Sequence, residues 1–407
     1  IIARAIGRGD VKEAEHALGQ AMGMSVVWGV LVSVAFWWLA APLAAVCGLN
    51  GEAATYLVEY VHVLAYSMPF CGLMMVGAMC LTGAGETIRP AVIAVIVNVV
   101  NVIFSWLLSG AELRLFGIVL PDMFGFDMDV AGIAAGTAIG YGVGGVLMVG
   151  LLLWGVRDLR LRVPLLNPVR SMIFRVARVG IPNFLEGISM WSANLGVLAM
   201  IGVIAGREAR LAVTAASSTD AVASPTAGEG LVGAHIIAVQ WESFSFLPGF
   251  AIGTAAAALA GQFLGAGNVA MARRAVFVCT GIAVALMGLL GIVYMLFGQS
   301  LTELISTQAK HLGLVPQLLF ICGITQVFFA VSMVVRQALR GLGDTVWTFA
   351  ITTISSYGIR LPAAWIFGIV LDLGLIGVWI ALCGELAVRA CLFLARFLHG
   401  GWATRKV

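Results

Sequence analysis

Charge is scarce along this chain. Asp, Glu, Lys and Arg together make up 11% of its 407 residues, and the formal net charge is only +3. So small a basic excess leaves no footprint for nucleic acid, which proteins bind by neutralising many phosphates with clustered Lys and Arg. Cysteine is sparse as well: Cys47, Cys71, Cys80, Cys279, Cys322, Cys383 and Cys391 sit singly in or at the ends of apolar runs. No CxxC pair or metal-ligand spacing occurs, so they read as small packing residues. The histidines (His16, His62, His235, His311 and His399) fall in different segments and form no nucleophile–base pair or metal cluster, so the chain does not read as an enzyme. Strict apolar–polar alternation is missing too, which argues against a transmembrane β-barrel.

What the chain has instead is apolar length. Apolar residues make up 61% of it and the mean hydropathy is +1.03. A soluble domain averages roughly 45–50% apolar and could not hide this much surface, whereas a bilayer solvates the outer faces of helices. Runs such as 26–46, 91–108 and 275–297 are long enough to cross a hydrocarbon core of roughly 30 Å at ~1.5 Å per residue. Breaks at Gly, Pro and charge predict ten spans, at 17–46, 55–81, 90–108, 131–155, 180–205, 231–262, 275–298, 313–339, 346–370 and 375–398. The expected fold is an all-α, polytopic membrane helix bundle. Gly136, Gly140 and Gly144 form a stripe of small residues that reads as a helix-packing face.

Ten spans place successive loops on alternate sides, and basic residues orient them. One side carries Arg4, Arg8, Lys12, Arg89, Arg157, Arg160, Arg162, Arg170, Arg175, Arg178, Arg273, Arg274, Arg340, Arg405 and Lys406; the other carries Arg114, Arg207, Arg210 and Lys310. Both ends of the chain are therefore expected in the cytoplasm, in a plasma (inner) membrane. The arginine-rich stretch 157–178, whose one acid is Asp158, reads as a cytoplasmic connector facing lipid headgroups. Two loops on the other side are long, at 109–129 and 206–230, the second with a polar tract over 214–230 that reads as flexible and exposed.

A repeat runs through the chain. Arg4-Ala-Ile-Gly-Arg-Gly-Asp10 is matched by Gln262-Phe-Leu-Gly-Ala-Gly-Asn268, and Thr82-Gly-Ala-Gly-Glu-Thr87 by Arg340-Gly-Leu-Gly-Asp-Thr345, both at an offset of 258 residues. The glycine pairs Gly7/Gly9, Gly83/Gly85, Gly265/Gly267 and Gly341/Gly343 are read as tight helix–helix turns, where glycine supplies positive φ. Glu86 or Asp344, then Thr87 or Thr345, are expected to cap the next helix. A phosphate loop would need a preceding strand and a downstream Gly, Lys or acid, none of which is present. The repeat divides the chain into a first lobe over 1–156, a basic linker over 157–179 and a second lobe over 180–407. Spans 180–205 and 231–262 have no complete partner in the first lobe. The expectation is an N-terminally truncated sequence showing ten of twelve helices.

These pieces resemble the multidrug and toxic compound extrusion (MATE) transporters of the wider flippase superfamily. The resemblance is carried by Arg4–Asp10, by 81–90 with Asn98 and Asn101, by Gly180-Ile-Pro-Asn-Phe-Leu-Glu186, by 234–267, by 338–345 and by Arg360-Leu-Pro362. It implies two six-helix lobes around a central cleft, related by a pseudo-two-fold axis. It also implies export of organic, often cationic, compounds in exchange for Na⁺ or H⁺, with no cofactor and a monomeric protein among membrane lipids.

Ionisable groups inside a membrane mark functional sites by default. Glu242 lies about eleven residues into its span, so roughly 16 Å along the axis. Protonated it suits a proton carrier, ionised it could hold a transient Na⁺ or a cationic substrate, and the alternative is a hydrogen-bonded structural glutamate. Glu186 follows Pro182 near the cytoplasmic end of its span, and Asn183 and Asn194 could line the same cavity. Arg360 needs a partner or a water-filled cleft. Asn98 and Asn101 share a face, and Gln240 and His235 lie inside the sixth span. Glu385 and Arg389, four apart, are read as a structural pair. The reading is an ion-coupled antiporter working by alternating access through Glu242 or Glu186. Its rival is a flippase for a lipid-linked saccharide or lipid precursor, which would want a basic cleft.

Overall fold

Apolar runs without interior breaks become long helices here, and glycine-containing joints separate them. The computed structural model describes residues 1–46, 50–111, 113–115, 118–120, 128–157, 159–217 and 229–404. Most of the long loop expected over 109–129 and of the polar tract over 214–230 lies outside these, as do Cys47, Asp158, Arg405 and Lys406. In chain order the helices are α1 (Ile2–Gly7), α2 (Val11–Val46), α3 (Glu52–Gly83), α4 (Ile88–Ser109), α5 (Asp129–Trp154), α6 (Arg170–Ser217), α7 (Glu229–Gly265), α8 (Val269–Glu303) and α9 (Ala309–Gly341). They continue with α10 (Thr345–Ser355), α11 (Leu361–Trp365) and α12 (Gly374–His399). The one sheet among the described residues is a short antiparallel pair, β1 (Leu113–Leu115) with β2 (Ile118–Leu120).

Among the described residues, nine helices are long and apolar enough to cross a membrane, and they coincide with nine of the ten expected spans. The tenth, expected over 346–370, follows one path but is not a regular α-helix. α10 passes into a π-helical turn at Ser356–Arg360, then α11, then a second π turn at Ile366–Val370. The amides of Leu361 and Leu371 reach back five residues, to the carbonyls of Ser356 and Ile366. Pro362 stands at the second position of α11, where it has no N–H to donate, so the pairing around it shifts.

Two compact units divide the chain, Ile1–Val176 and Ala177–Val407. In the first, α3 packs against α2 and α5, and α4 against α5. In the second, α9 packs against α7, α8 and α12, and α10 against α12. The pairings α2–α3, α3–α5 and α4–α5 thus recur as α8–α9, α9–α12 and α10–α12, which is the sequence repeat expressed in packing. In α5 the small-residue stripe closes on α4: a Cβ added at Gly136 would lie 2.3 Å from the Ser105 backbone nitrogen. Large apolar side chains such as Trp28, Leu31, Val34 and Trp38 remain exposed on α2, as a lipid-facing surface requires. The buried core of the first unit gathers around Leu18, Met22, Leu81, Met148 and Leu152.

The unit boundary falls inside the expected linker of 157–179 rather than at its ends, because that stretch is tied to α2. Gln20 donates to the carbonyls of Leu165 and Asn167, both at 2.7 Å, and accepts from the Val169 amide at 2.9 Å. Arg162 pairs with Glu15 at 2.9 Å and Arg175 with Glu13 at 2.8 Å. The helix expected from 180 begins ten residues earlier, at Arg170.

The four glycine turns share one hydrogen-bond pattern. In each, the second glycine has positive φ: 75° at Gly9, 85° at Gly85, and 77° at both Gly267 and Gly343. Gly7, Gly83, Gly265 and Gly341 are instead the last residues of their helices. The amides of Asp10, Glu86, Asn268 and Asp344 reach back to the carbonyls of Ala5, Leu81, Phe263 and Leu339, all at 2.9 Å. This six-to-one bond is the Schellman closure, which satisfies carbonyls at a helix end. The caps differ from expectation. Glu86 accepts from the amides of Ile88 and Arg89, but the Thr87 hydroxyl makes no cap bond. Asp344 does not cap through its side chain either; its Oδ2 accepts from Arg396 Nε at 2.7 Å, and Thr345 is already the first residue of α10.

Candidate functional site

Inside the second unit, α6, α9, α12 and the broken segment from α10 to α11 converge their few charged side chains. Glu186, on α6 four residues past Pro182, is 1% exposed. Arg340, in the last turn of α9, binds its Oε2 through Nη2 at 2.8 Å and Nε at 3.2 Å. Thr352 of α10 donates to Oε1 at 2.9 Å. Arg336, one turn before Arg340, brings Nη1 to 3.7 Å from the same oxygen, beyond hydrogen-bond reach.

Glu385 on α12 is the second hub. Arg389, one turn on, pairs with its Oε1 at 2.7 Å, and Arg360, on the first π turn, donates to Oε2 through Nη2 at 2.9 Å and Nε at 3.1 Å. Arg360 also reaches Asn194 Oδ1 on α6 at 2.9 Å. Arg389 donates to the hydroxyls of Ser355 and Ser356, each at 2.9 Å. Hydroxyls of the α10 segment therefore serve both hubs, Thr352 at Glu186 and the two serines beside Glu385. Removing charges from water costs several kcal/mol per ion, and only this density of hydrogen bonds makes their burial tenable.

Glu242 on α7 is different. It is half-buried, and its carboxylate makes no hydrogen bond or ion pair among the described residues. Arg360, Tyr294, Cys322 and Cys383 lie within electrostatic range of it. Tyr294 donates to the Trp241 carbonyl at 2.7 Å and so holds α8 against the turn that carries Glu242.

The remaining sequence candidates divide. Asn183 is near Glu186 along α6, and its Oδ1 is buried without a partner. Gln240 is exposed on α7, while His235 accepts from Trp379 Nε1 at 3.2 Å. In the first unit, Asn98 is exposed and donates to its own helix at the Ala94 carbonyl, whereas Asn101 crosses to Thr137 Oγ1 on α5 at 2.8 Å. Arg336 and Arg340 are not among the sequence candidates: Arg336 lies near the end of the expected span 313–339 and Arg340 just past it. Thr352, Ser355 and Ser356 are not among them either; their 352, 355, 356 spacing on one helix face was the available signal.

The MatE family model matches residues 1–107 and 189–366. The probable multidrug resistance protein NorM of Thermotoga maritima is 28% identical over 413 aligned residues, covering 100% of this chain and 80% of that protein. The multidrug resistance protein PmpM of Pseudomonas aeruginosa is 24% identical, covering 97% of this chain and 79% of its own length. Among solved structures, a multidrug resistance MATE family transporter of the MOP superfamily in an outward-facing conformation superposes with a TM-score of 0.83 at 21% identity, covering 98% of this chain and 81% of that one. The Vibrio cholerae MATE transporter VcmN gives 0.82 at 16% identity, covering 100% of this chain and 84% of that one. The last two establish likeness of fold.

Proposed function

This chain belongs to the MatE family, a family of membrane transporters rather than enzymes, and on that premise we propose that it exports organic compounds in exchange for H⁺ or Na⁺, with Glu242 as the ion-carrying carboxylate. The names of its relatives NorM and PmpM support multidrug efflux. One observation carries the choice of Glu242. Of the acids inside the second unit's spans, Glu186 and Glu385 are saturated by arginines and hydroxyls, while Glu242 has no direct partner among the described residues. A carboxylate locked between guanidinium groups cannot release and rebind an ion without breaking a buried network. An unpaired one can, and its oxygens suit a proton, Na⁺ or a substrate's cationic group.

Cationic compounds then compete with the coupling ion for Glu242, which is the exchange an antiporter needs. Glu186, Asn183 and Arg360 hold and shape the interior of the second unit, where Gln240 adds a polar contact, and Asn98 and Asn101 are polar substrate contacts of the first unit. The protein acts as a monomer in the inner membrane with both ends of this sequence cytoplasmic, as the asymmetry of Lys and Arg supports. The test is gradient-driven efflux from proteoliposomes, with H⁺ and Na⁺ gradients imposed separately. The flippase reading has one observation in its favour, the buried arginines. It predicts transport of a lipid-linked pyrophosphate and none of small cationic dyes.

A further inference from the structure

Four arginines share the buried chain of the second unit with only two paired glutamates, and the imbalance falls on one residue. Glu385 is occupied by Arg360 and Arg389, and Glu186 by Arg340 and Thr352. Arg336 is 8% exposed, and its closest acid oxygen, at 3.7 Å, is already engaged. Among the described residues its Nε is buried without a hydrogen-bond partner, and beside that long ion pair Nη1 makes only a soft contact, to Met190 Sδ at 3.8 Å. Arg336 thus shares the one carboxylate in its reach, Glu186, with Arg340, which holds it more closely at 2.8 Å.

A guanidinium does not shed its proton, so Arg336 cannot escape burial by becoming neutral. A buried Nε–H left unmade, on a guanidinium that shares its one nearby carboxylate with Arg340, calls for an anion. Arg340 stands one turn along the same helix face with its side chain 25% exposed, which leaves the pair open on one side. We propose that Arg336, with Arg340 beside it, receives an oxyanion, a carboxylate or phosphate, carried by the transported compound. The inference narrows the substrate class to compounds that carry an acidic group beside the cationic one. It rests on the transport reading only in that the ligand is carried across the membrane, since binding itself needs no ion gradient.

The experiment is thermal unfolding of the full chain in phosphatidylcholine nanodiscs, titrated with sodium benzoate or inorganic phosphate against sodium chloride at matched ionic strength. Benzoate or phosphate should raise the Tm saturably where chloride does not, and the effective anion names the group. Without anion, Arg336→Met should unfold above wild type, because an unsatisfied buried charge is gone, and it should no longer respond to either anion. Arg336→Lys keeps the charge but loses the planar fork, so its response should be weakened but present. It also serves as the readout if Arg336→Met does not fold. Repeating the titration with phosphatidylglycerol in the disc separates sources: loss of the response there means that a lipid headgroup fills the site and overturns a solute ligand. The proposal is equally overturned if neither anion stabilises wild type, if Arg336→Met responds as wild type does, or if it unfolds below wild type without anion. Loss of coupled efflux with this anion response intact would instead refute the antiporter reading.

Discussion

Arg360 and Glu385 meet inside the second unit at 2.9 and 3.1 Å, joining the first π turn of the broken segment to α12. The pair stands where the backbone departs from α geometry, and Arg389 completes the carboxylate from the other side at 2.7 Å. π turns are rare and gather at functional places. Here the widened turn, followed by Pro362, carries the guanidinium that reaches both Glu385 and Asn194.

Replacing Glu385 by Gln leaves Arg360 and Arg389 without their shared counter-charge. Breaking a buried pair in this way costs about 3–5 kcal/mol. Glu385→Gln should therefore unfold far more readily in detergent than wild type. The triple change Glu385→Leu, Arg360→Met and Arg389→Met should be less damaging than the single one, because no charge is stranded.

Gln20→Ala removes all three hydrogen bonds that hold residues 165–169 to α2. At about 0.5–1.5 kcal/mol each, the loss is local rather than global. Hydrogen exchange should accelerate at the Val169 amide and its neighbours while the amides of α3 and α5 keep their protection.

Gly267→Ala forces a Cβ into a left-handed backbone at φ 77°, although open space surrounds the position. The expected loss of stability is about 1–2 kcal/mol, all of it backbone. Gly267→Asn should lose less, since Asn tolerates that region. Gly9, its repeat partner at φ 75° with the same open space, should behave alike in a parallel unfolding series.

Much of the fold was legible because lipid imposes simple rules. Nine of the ten spans stand out as apolar runs bounded by Gly or charge, and the 258-residue repeat reappears as matched helix pairings. The glycine pairs could be read as positive-φ turns because their motif recurs at a fixed offset, but only the structure shows that the second glycine of each carries it. The site was less legible. Arg340 was placed at a cytoplasmic turn by sequence, yet its long stem carries the guanidinium back to Glu186 within the unit, as amphipathic side chains do. Arg360 announced its need for a partner, but nothing local says that the partner is twenty-five residues on. Thr352, Ser355 and Ser356 look like ordinary helix residues until the arginine and glutamate they serve are in place. The π turns leave no periodic signature, because one extra residue per turn barely disturbs an apolar run.

Glu242 is the residue on which ion exchange turns. The direct test is efflux of a dye that carries both a cationic and an acidic group from proteoliposomes containing this chain, driven by an imposed H⁺ or Na⁺ gradient, in wild type and Glu242→Gln. The account predicts that the variant folds and unfolds at or above the wild-type temperature, since a neutral isostere replaces an unpaired half-buried acid. It also predicts that the variant loses gradient-driven efflux under both ions. Efflux by Glu242→Gln that still follows the gradient at the wild-type rate would contradict it.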